Sequence, residues 1–313
     1  MECDTEVMEK RFQLIGVGHS CLDQVCTIEH YPVEDDSTHI SSISVQGGGA
    51  VATACVAASR LGVSTAFIGN IGHDMVSDTI LKHFAVDGVN TDFVVRRDDC
   101  FGLQSFVMVN PATGSRTKFP QWDTNPAIEW TEDVVKQIGS AHVLHLDGTN
   151  WTNAFQAATF AKKAGVLVSL DGCSMQTDNE LNKRLASLAD VLIMNHKYPL
   201  RVSGKETIEE ALLEMATWGP KLVAATLGPA GSKAIIDEKV VHIEPYRIDS
   251  VVDSTGAGDV FHGAFIAGHL DGMDYREALR FASAAAALKC KEAGGRKGIP
   301  TKSQTHAFMN EFC

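Results

Sequence analysis

The stretch from residue 253 to 263, Asp-Ser-Thr-Gly-Ala-Gly-Asp-Val-Phe-His-Gly, holds residue types at a spacing that could do chemistry. Gly256 and Gly258 flank Ala257 in a turn, where glycine permits backbone conformations that other residues resist. The N–H groups of such a turn, at the start of the apolar segment that follows, favour an anion. Asp259 would lie beside that anion, where a carboxylate suits a general base acting on a hydroxyl while a phosphoryl group is held. An ordinary Asp-Gly turn with a capping carboxylate is the alternative.

These residues resemble the D-T-x-G-A-G-D signature of the ribokinase-like, or pfkB, carbohydrate kinases. The resemblance implies that Asp259 is the catalytic base and that the backbone N–H groups of Gly256, Ala257 and Gly258 stabilise the transferring phosphoryl group. It implies ATP and Mg²⁺ as cofactors. Ser254 replaces the usual threonine and keeps a hydroxyl group.

Asp23 is the first candidate for binding a substrate. It follows the apolar run of residues 12–17, and open α/β sheets bind ligands beyond the carboxyl ends of their strands. The family has an aspartate at this place that contacts sugar hydroxyls, whereas an aspartate considered alone would more often belong to a turn.

The glycine-rich segment after residue 46 supplies further candidates. Gly48 and Gly49 match a glycine pair of the family that is followed by a sugar-binding asparagine, and they would let the backbone approach a ligand. Thr53 stands where that asparagine is usual, which predicts altered sugar contacts. A flexible hinge is the alternative reading of the glycines.

A nucleotide site is predicted from two segments of the second half. Asn195 follows an apolar strand and matches part of the family's N-x-x-E motif, although Tyr198 replaces the glutamate. Thr226, Gly228 and Gly231 resemble a T-x-G-x-x-G segment that lines the ATP phosphates in the family. A plain β-hairpin turn is compatible with the same residues.

The resemblance also implies a site for a monovalent cation, K⁺. Asp253 and Thr255 open the catalytic motif, and Gly294 and Gly298 lie in the loop that contributes carbonyl groups to this site in the family.

Regular alternation of apolar strands and helices from residue 131 onward predicts βαβ units. We therefore expect an α/β fold, a doubly wound and mostly parallel sheet with helices on both faces, in one ribokinase-like domain of residues 12–313. Residues of about 24–46 and 100–122 would form a small β-sheet lid, in which Asn110 could either reach the substrate or cap a turn. Residues 1–11 would be a disordered tail. By analogy with relatives, a homodimer through the lids is expected.

Composition excludes several classes of function. The net charge is −12, which argues against nucleic-acid or anionic-membrane partners because both need a basic surface. No segment approaches the length of a membrane span. The eight scattered cysteines, without a C-x-x-C pair, predict reduced thiols, and together with a start that lacks an apolar signal region they favour the cytoplasm.

The resemblance extends over about residues 12–312. Residues 251–300 look most like sulfofructose kinases, and the middle of the chain is closer to ketohexokinase-like members. The leading hypothesis is an ATP-dependent kinase of a small ketose or furanose sugar. A nucleoside kinase and a non-catalytic sugar- or nucleotide-binding relative are the alternatives.

Overall fold

The computed structural model describes residues 11–312 except residues 111, 113–114, 122–123 and 173–176. The expected tail thus lies almost entirely outside the described residues, as does part of the second lid segment. The strands are β1 (Leu14–Val17), β2 (Cys21–Ile28), β3 (Ile40–Gly48), β4 (Thr65–Ile71), β5 (Val89–Arg96), β6 (Gln104–Asn110), β7 (Ser115–Pro120), β8 (Val143–Leu146), β9 (Leu167–Asp171), β10 (Val191–Asn195), β11 (Leu222–Thr226), β12 (Ser232–Ile236) and β13 (Lys239–Ile243). The α-helices are α1 (Ala50–Arg60), α2 (Met75–Val86), α3 (Glu132–Ser140), α4 (Trp151–Lys163), α5 (Asn179–Ala186), α6 (Lys197–Ser203), α7 (Ile208–Ala216), α8 (Ala257–Leu270), α9 (Tyr275–Lys289) and α10 (Lys302–Asn310).

Nine strands form the main sheet, in the order β13-β12-β11-β10-β9-β8-β1-β4-β5. Neighbouring strands are parallel except at the β11–β12 and β12–β13 pairs, which are antiparallel. The chain starts in the middle, builds β4 and β5 on one side and then β8 to β13 on the other. The order of the strands reverses between β1 and β8, and such a switch point is where doubly wound sheets open a crevice for ligands. The predicted fold class is confirmed.

Helices cover both faces of this sheet. Adjacent residues of one strand point to opposite faces, and Leu14 and Ile15 accordingly belong to two different buried clusters. The first cluster draws on α1, α2, α8 and α9, and the second on α3, α4, α5, α6 and α7. Strands that are buried on both faces explain the continuous apolar runs in the sequence.

Helix α8 packs closely on α1, and this contact fixes the position of the catalytic motif. A Cβ atom at Gly263 would collide with the carbonyl oxygen of Ala54 and would crowd Ala57. The two helices can therefore approach each other only because small residues line both contact faces. Their N-termini, which carry the predicted catalytic and sugar-binding segments, are held side by side.

A second sheet, called the lid below, has the order β3-β2-β6-β7. β2 pairs antiparallel with β3 and parallel with β6, which pairs antiparallel with β7. The lid differs from the expectation in its bounds, because β2 begins at Cys21 and β3 runs to Gly48. Asp23 and Gly48 therefore lie within lid strands, rather than in the turn after β1 and at the start of a helix.

Candidate active site at the carboxyl ends of the sheet

The start of α8 provides the anion-binding turn that the sequence predicts. Gly256 caps the helix with φ 75°, a left-handed conformation, and a Cβ atom there would lie 2.7 Å from the carbonyl oxygen of Gly295. Gly258 is exposed, and nothing lies within 4 Å of a Cβ atom built on it. The first N–H groups of any helix lack partners within the helix, so those of Gly258 and Asp259 can serve an anion.

Behind Asp259 lies a buried ion pair. Nε2 of His262, one turn further along α8, is 3.3 Å from Oδ1 of Asp171 at the end of β9. Both side chains are 5% exposed. The ring of His145 stacks at a tilt on that of His262, with centroids 5.1 Å apart, and its Nδ1 is 3.1 Å from Oγ of Ser169.

The ion pair sets the charges around the catalytic carboxylate. Burial by itself would lower the pKa of His262, but Asp171 and then Asp259 raise it above its ordinary value. Burial lowers the pKa of His145 to about 3, which keeps that ring neutral. The region behind Asp259 thus favours a protonated His262 paired with Asp171, beside a neutral His145.

Asp259 itself has the perturbed pKa of a general base. Burial, followed by the negative charge of Asp171, raises its pKa from 3.8 to about 7, against the opposing charges of Lys118 and His262. A base whose pKa lies near the working pH combines the correct protonation state with a useful affinity for the proton.

This shift predicts how activity depends on pH. Asp259 must be ionised to accept a proton, so kcat/KM should rise with pH to a plateau, with a midpoint near this pKa of about 7. Below the midpoint the profile should fall roughly tenfold per pH unit, as expected for one protonation. Rates measured from pH 5.5 to 8.5 in buffers of constant ionic strength test this, and a flat profile over that range would contradict it.

The lid presents Asp23 toward the site. Asp23 is 9% exposed, and Sγ of Cys21 donates to its Oδ1 at 3.4 Å. A Cβ atom at Gly48 would collide with this carboxylate, so the glycine makes room for Asp23. Gly49 has φ 93°, and its Cβ would collide with the carbonyl oxygen of His19.

Gln46 is a functional candidate that the sequence reasoning missed. It pairs with Asp23 across β2 and β3, so the two side chains share one face of the lid. Its Nε2 atom is buried and has no hydrogen-bond partner among the described residues. In the sequence, only the position of Gln46 directly before the glycines indicated such a role.

Thr53 is turned inward, in contact with a second residue that the sequence reasoning did not assign to the site. Its side chain is 1% exposed, and its hydroxyl accepts a hydrogen bond from Nε of Arg296 at 3.2 Å. Arg296 also donates through Nη2 to the carbonyl oxygen of Gly48 at 2.9 Å and lies over the ring of Phe84. Thr53 can therefore act on a ligand through the guanidinium group, which it helps to hold.

Asn110 lies on the other face of the lid. The register pairs Asp23 with Ser105, and side chains alternate along β6, so Asn110 shares its face with Phe106. Its Oδ1 accepts a hydrogen bond from the backbone N–H of Ala112 at 3.0 Å. The structure thus shows the turn-capping role, on the face of the lid opposite Asp23.

The predicted nucleotide residues meet at the ends of two neighbouring strands. Asn195 pairs with Thr226 in the β10–β11 register. The Asn195 side chain accepts from the backbone N–H groups of Lys197 and Tyr198, and the hydroxyl of Thr226 donates to the carbonyl oxygen of Met194. Both side chains therefore have local structural roles.

The turn between β11 and β12 depends on glycine. Gly228 (φ 59°) opens a single 3-10 turn that ends at Ala230. Gly231 has φ 81°, and a Cβ atom there would collide with the carbonyl oxygen of Ile243. The N–H groups of Leu227, Ala230 and Gly231 are bonded within this turn, which leaves the N–H of Gly228 as the candidate for contact with phosphate.

The residues expected around a monovalent cation do come together. Oδ1 of Asp253 accepts from the N–H of Thr255, and Oδ2 accepts from that of Gly294, each at 2.8 Å. Gly298 lies on the same loop, close to the carbonyl oxygen of Lys289. Burial would raise the pKa of Asp253, but these hydrogen bonds and the charge of Lys289 lower it below its usual range.

No group of three or more histidine, cysteine or acidic side chains suited to a metal ion occurs in the described part of the chain. Mg²⁺ that accompanies a nucleotide does not need such a group, because it commonly keeps several waters and binds one or two carboxylates together with substrate phosphates. Among the described residues, no helix is long and apolar enough to cross a membrane.

Comparison with known proteins agrees with this geometry. A family model described as pfkB family carbohydrate kinase matches residues 14–302. A nucleoside kinase of Methanothermobacter thermautotrophicus is 27% identical over 297 residues, with 94% of each chain covered. A ribokinase of Staphylococcus aureus is 28% identical over 299 residues, covering 92% of this chain and 96% of its own.

A solved structure shows the same likeness. The Arabidopsis thaliana ribokinase complexed with ribose and ATP superposes with a TM-score of 0.84 at 26% identity, covering 95% of this chain and 98% of that one. The chain therefore belongs to the pfkB family of carbohydrate kinases, phosphotransferases that act on an alcohol group.

Proposed function

We propose that the protein is an ATP-dependent kinase that phosphorylates a primary hydroxyl of a small ketose or furanose sugar, with Asp259 as general base. One observation carries the proposal. Asp259 is partly buried at the N-terminus of α8, beside the Gly256–Gly258 turn, and its pKa is raised to about 7.

The reaction uses these groups in a simple order. Asp259 accepts the proton of the sugar hydroxyl as its oxygen bonds to the γ-phosphorus, and the bond from that phosphorus to the β,γ-bridging oxygen breaks to release ADP. The N–H groups of Gly258 and Asp259, at the start of α8, stabilise the negative charge on the transferring group, whereas the N–H of Ala257 is bonded to the carbonyl oxygen of Ser254. Mg²⁺, when bound with ATP, would neutralise part of the phosphate charge.

Sugar binding is assigned to the lid and α1. The carboxylate of Asp23 accepts from sugar hydroxyls, Gly48 and Gly49 let the sugar approach the backbone, and Thr53 contributes through Arg296. Closure of the lid over the sugar would exclude water and so limit ATP hydrolysis. ATP lies along the edge formed by Asn195, Thr226, Gly228 and Gly231.

A nucleoside is the second candidate substrate, because a relative covered over 94% of both chains is a nucleoside kinase. The experiment is an acceptor screen with ATP and Mg²⁺, in which ADP release is measured with fructose, ribose and nucleosides. Turnover that is highest with a free sugar supports the proposal. If turnover is highest with a nucleoside, the substrate is a nucleoside and the sugar proposal is wrong. If no acceptor raises ADP release above background, the protein is a non-catalytic relative.

We also propose that the protein is a homodimer whose lids face each other. Val45 and Phe106 flank Gln24 in one row across the lid, and Phe119 extends that row. These three apolar side chains are 50%, 40% and 53% exposed, and Ile43 beside them is 62% exposed. Exposed apolar surface of this kind is often covered by association.

Light scattering at micromolar concentration should therefore give twice the mass of the 33.7 kDa chain. Val45→Glu together with Phe106→Glu should give the monomeric mass, because charges would be buried in the contact. The exposed Met75→Glu, on α2, is the matched control. A monomeric parent protein would contradict the proposal.

We also propose that the protein works in a reducing compartment, the cytoplasm, because its described cysteines are thiols. Cys21, Cys26, Cys55, Cys100 and Cys290 are buried thiols rather than disulfides. Burial raises the pKa of Cys55 to about 12, so this thiol is unreactive toward oxidants that attack thiolates.

A further inference from the structure

A lysine lies completely buried next to the catalytic motif. Lys289 is the last residue of α9, and its side chain is 0% exposed. Its Nζ donates to the backbone carbonyl oxygen of Asp253 at 2.7 Å. Lysine is almost never fully buried unless it is paired, so this position requires an explanation.

The surroundings compensate for the cost of burying the charge. The carboxyl end of a helix carries partial negative charge, and Lys289 lies at that end of α9. The carboxylate of Asp253 belongs to the same residue whose carbonyl oxygen accepts the hydrogen bond from the amine. The ammonium group is thus placed among oxygen atoms and partial charges that favour a cation.

Lys289 binds Asp253, and the anion-binding turn depends on Asp253. Asp253 connects the N–H groups of Thr255 and Gly294 through its two carboxylate oxygens. Its own N–H donates to the carbonyl oxygen of Cys290, the residue after Lys289. Gly256 then packs against Gly295, so the turn rests on the loop that follows α9.

The expected K⁺ does not fit this arrangement. K⁺ is bound by backbone carbonyl oxygens that replace its hydration shell. Here the carbonyl oxygen of Asp253 already receives a positively charged donor at 2.7 Å, and a second cation on the same oxygen would be repelled by the ammonium group.

We propose that Lys289 supplies from within the chain the positive charge that the family resemblance assigns to a monovalent cation, so that this enzyme works without K⁺. The inference rests on the proposed kinase function, because it concerns the same anion-binding turn. Lys289 acts as a positioning residue, since it contacts the turn through Asp253 and touches neither ATP nor the sugar.

The test compares cations at equal ionic strength, about 0.1 M chloride salt, where screening is the same in every sample. The parent enzyme should have the same kcat in KCl, NH₄Cl and choline chloride. Lys289→Ala, which leaves a space for a small cation, should lose at least about tenfold in kcat in choline, the factor that a charge-assisted hydrogen bond can supply. NH₄⁺ or K⁺ should restore much of that loss.

Two further variants separate a lost charge from damaged packing. Lys289→Met fills the space without a charge, so its loss of kcat should not be restored by any cation. Lys291→Ala removes an exposed lysine two residues away and should behave as the parent in all salts. Lys289→Ala activity that responds to no cation would show that Lys289 is only a packing residue and would overturn the proposal.

A second readout does not depend on turnover. The melting temperature of Lys289→Ala should rise in NH₄Cl or KCl relative to choline chloride, while that of the parent should not change. If no acceptor is phosphorylated but this response occurs, the cation inference stands and the proposed function fails. If the sugar is phosphorylated but K⁺ activates the parent enzyme, the function stands and the cation inference fails. A Lys289→Ala variant that does not fold leaves the parent's response to K⁺ as the deciding measurement.

Discussion

Replacing Asp259 with asparagine should lower kcat by at least about 100-fold, the lower end of the effect of removing a general base. The amide keeps the size of the side chain but cannot accept the proton of the sugar hydroxyl at neutral pH. ATP should bind normally, because its proposed contacts are the N–H groups of the turn and the edge at Thr226. Steady-state kinetics with the best acceptor, together with calorimetric titration of ATP, would measure both effects. Near-normal turnover in this variant would rule out Asp259 as the base.

The same variant has a stability signature that is independent of any substrate. The pKa of Asp259 is about 7 in the folded protein and has an ordinary value of 3.8. Between these pH values the folded protein holds a proton on Asp259 that the unfolded chain releases. Protonation of Asp259 therefore contributes fully to the free energy of unfolding below pH 3.8, and this contribution is lost as the pH rises toward 7. Asparagine does not titrate. The melting temperature of the variant minus that of the parent should therefore increase from pH 5 to pH 8, and a constant difference would show that Asp259 is not perturbed.

Gly256→Ala should reduce activity and stability together, whereas Gly258→Ala should reduce activity alone. At Gly256 alanine would have to adopt φ 75° with its Cβ 2.7 Å from the carbonyl oxygen of Gly295, so the turn must shift. A left-handed alanine costs about 1–2 kcal/mol before this collision is counted. At Gly258 the added methyl group meets no protein atom within 4 Å, but it extends into the space where we place the phosphoryl group.

Thermal unfolding and kcat/KM for ATP distinguish the two glycine variants. The melting temperature should fall for Gly256→Ala and should equal or exceed that of the parent for Gly258→Ala, because alanine favours the helix at that position. The value of kcat/KM for ATP should fall in both. A Gly258→Ala enzyme with unchanged kcat/KM would show that the phosphoryl group does not approach this turn.

The architecture could be predicted from the sequence because the apolar runs and the amphipathic segments indicate the same fold. The apolar runs of β8, β9, β10 and β11 alternate with amphipathic helices, and a parallel sheet buried on both faces is the arrangement that satisfies such runs. The bounds of the lid were less predictable. Exposed strands such as β3 carry little apolar alternation, so their ends are set by pairing with β2 rather than by their own residues.

The residues of the site could be predicted where they form one local motif. They could not be predicted where the fold brings together residues that are distant in the sequence. Asp259 and its glycines are neighbours in the chain, but Asp171 meets His262 from 91 positions away, and Arg296 meets Thr53 from 243. The burial of Lys289 could have been predicted from the sequence. It continues the stripe of buried alanines on α9, Ala278, Ala282 and Ala285, at helical spacing.

The parallel pairing of β2 with β6 has a consequence for how the protein folds. Asp23 in β2 lies opposite Ser105 in β6, and the chain between them forms β3, α1, β4, α2 and β5. Closing so long a loop costs conformational entropy before the contact is gained, and it becomes cheap once β4 and β5 have already joined β1. We therefore expect β2 and β6 to pair only after β1, β4 and β5 have assembled, so that the sugar site forms later than this part of the parallel sheet.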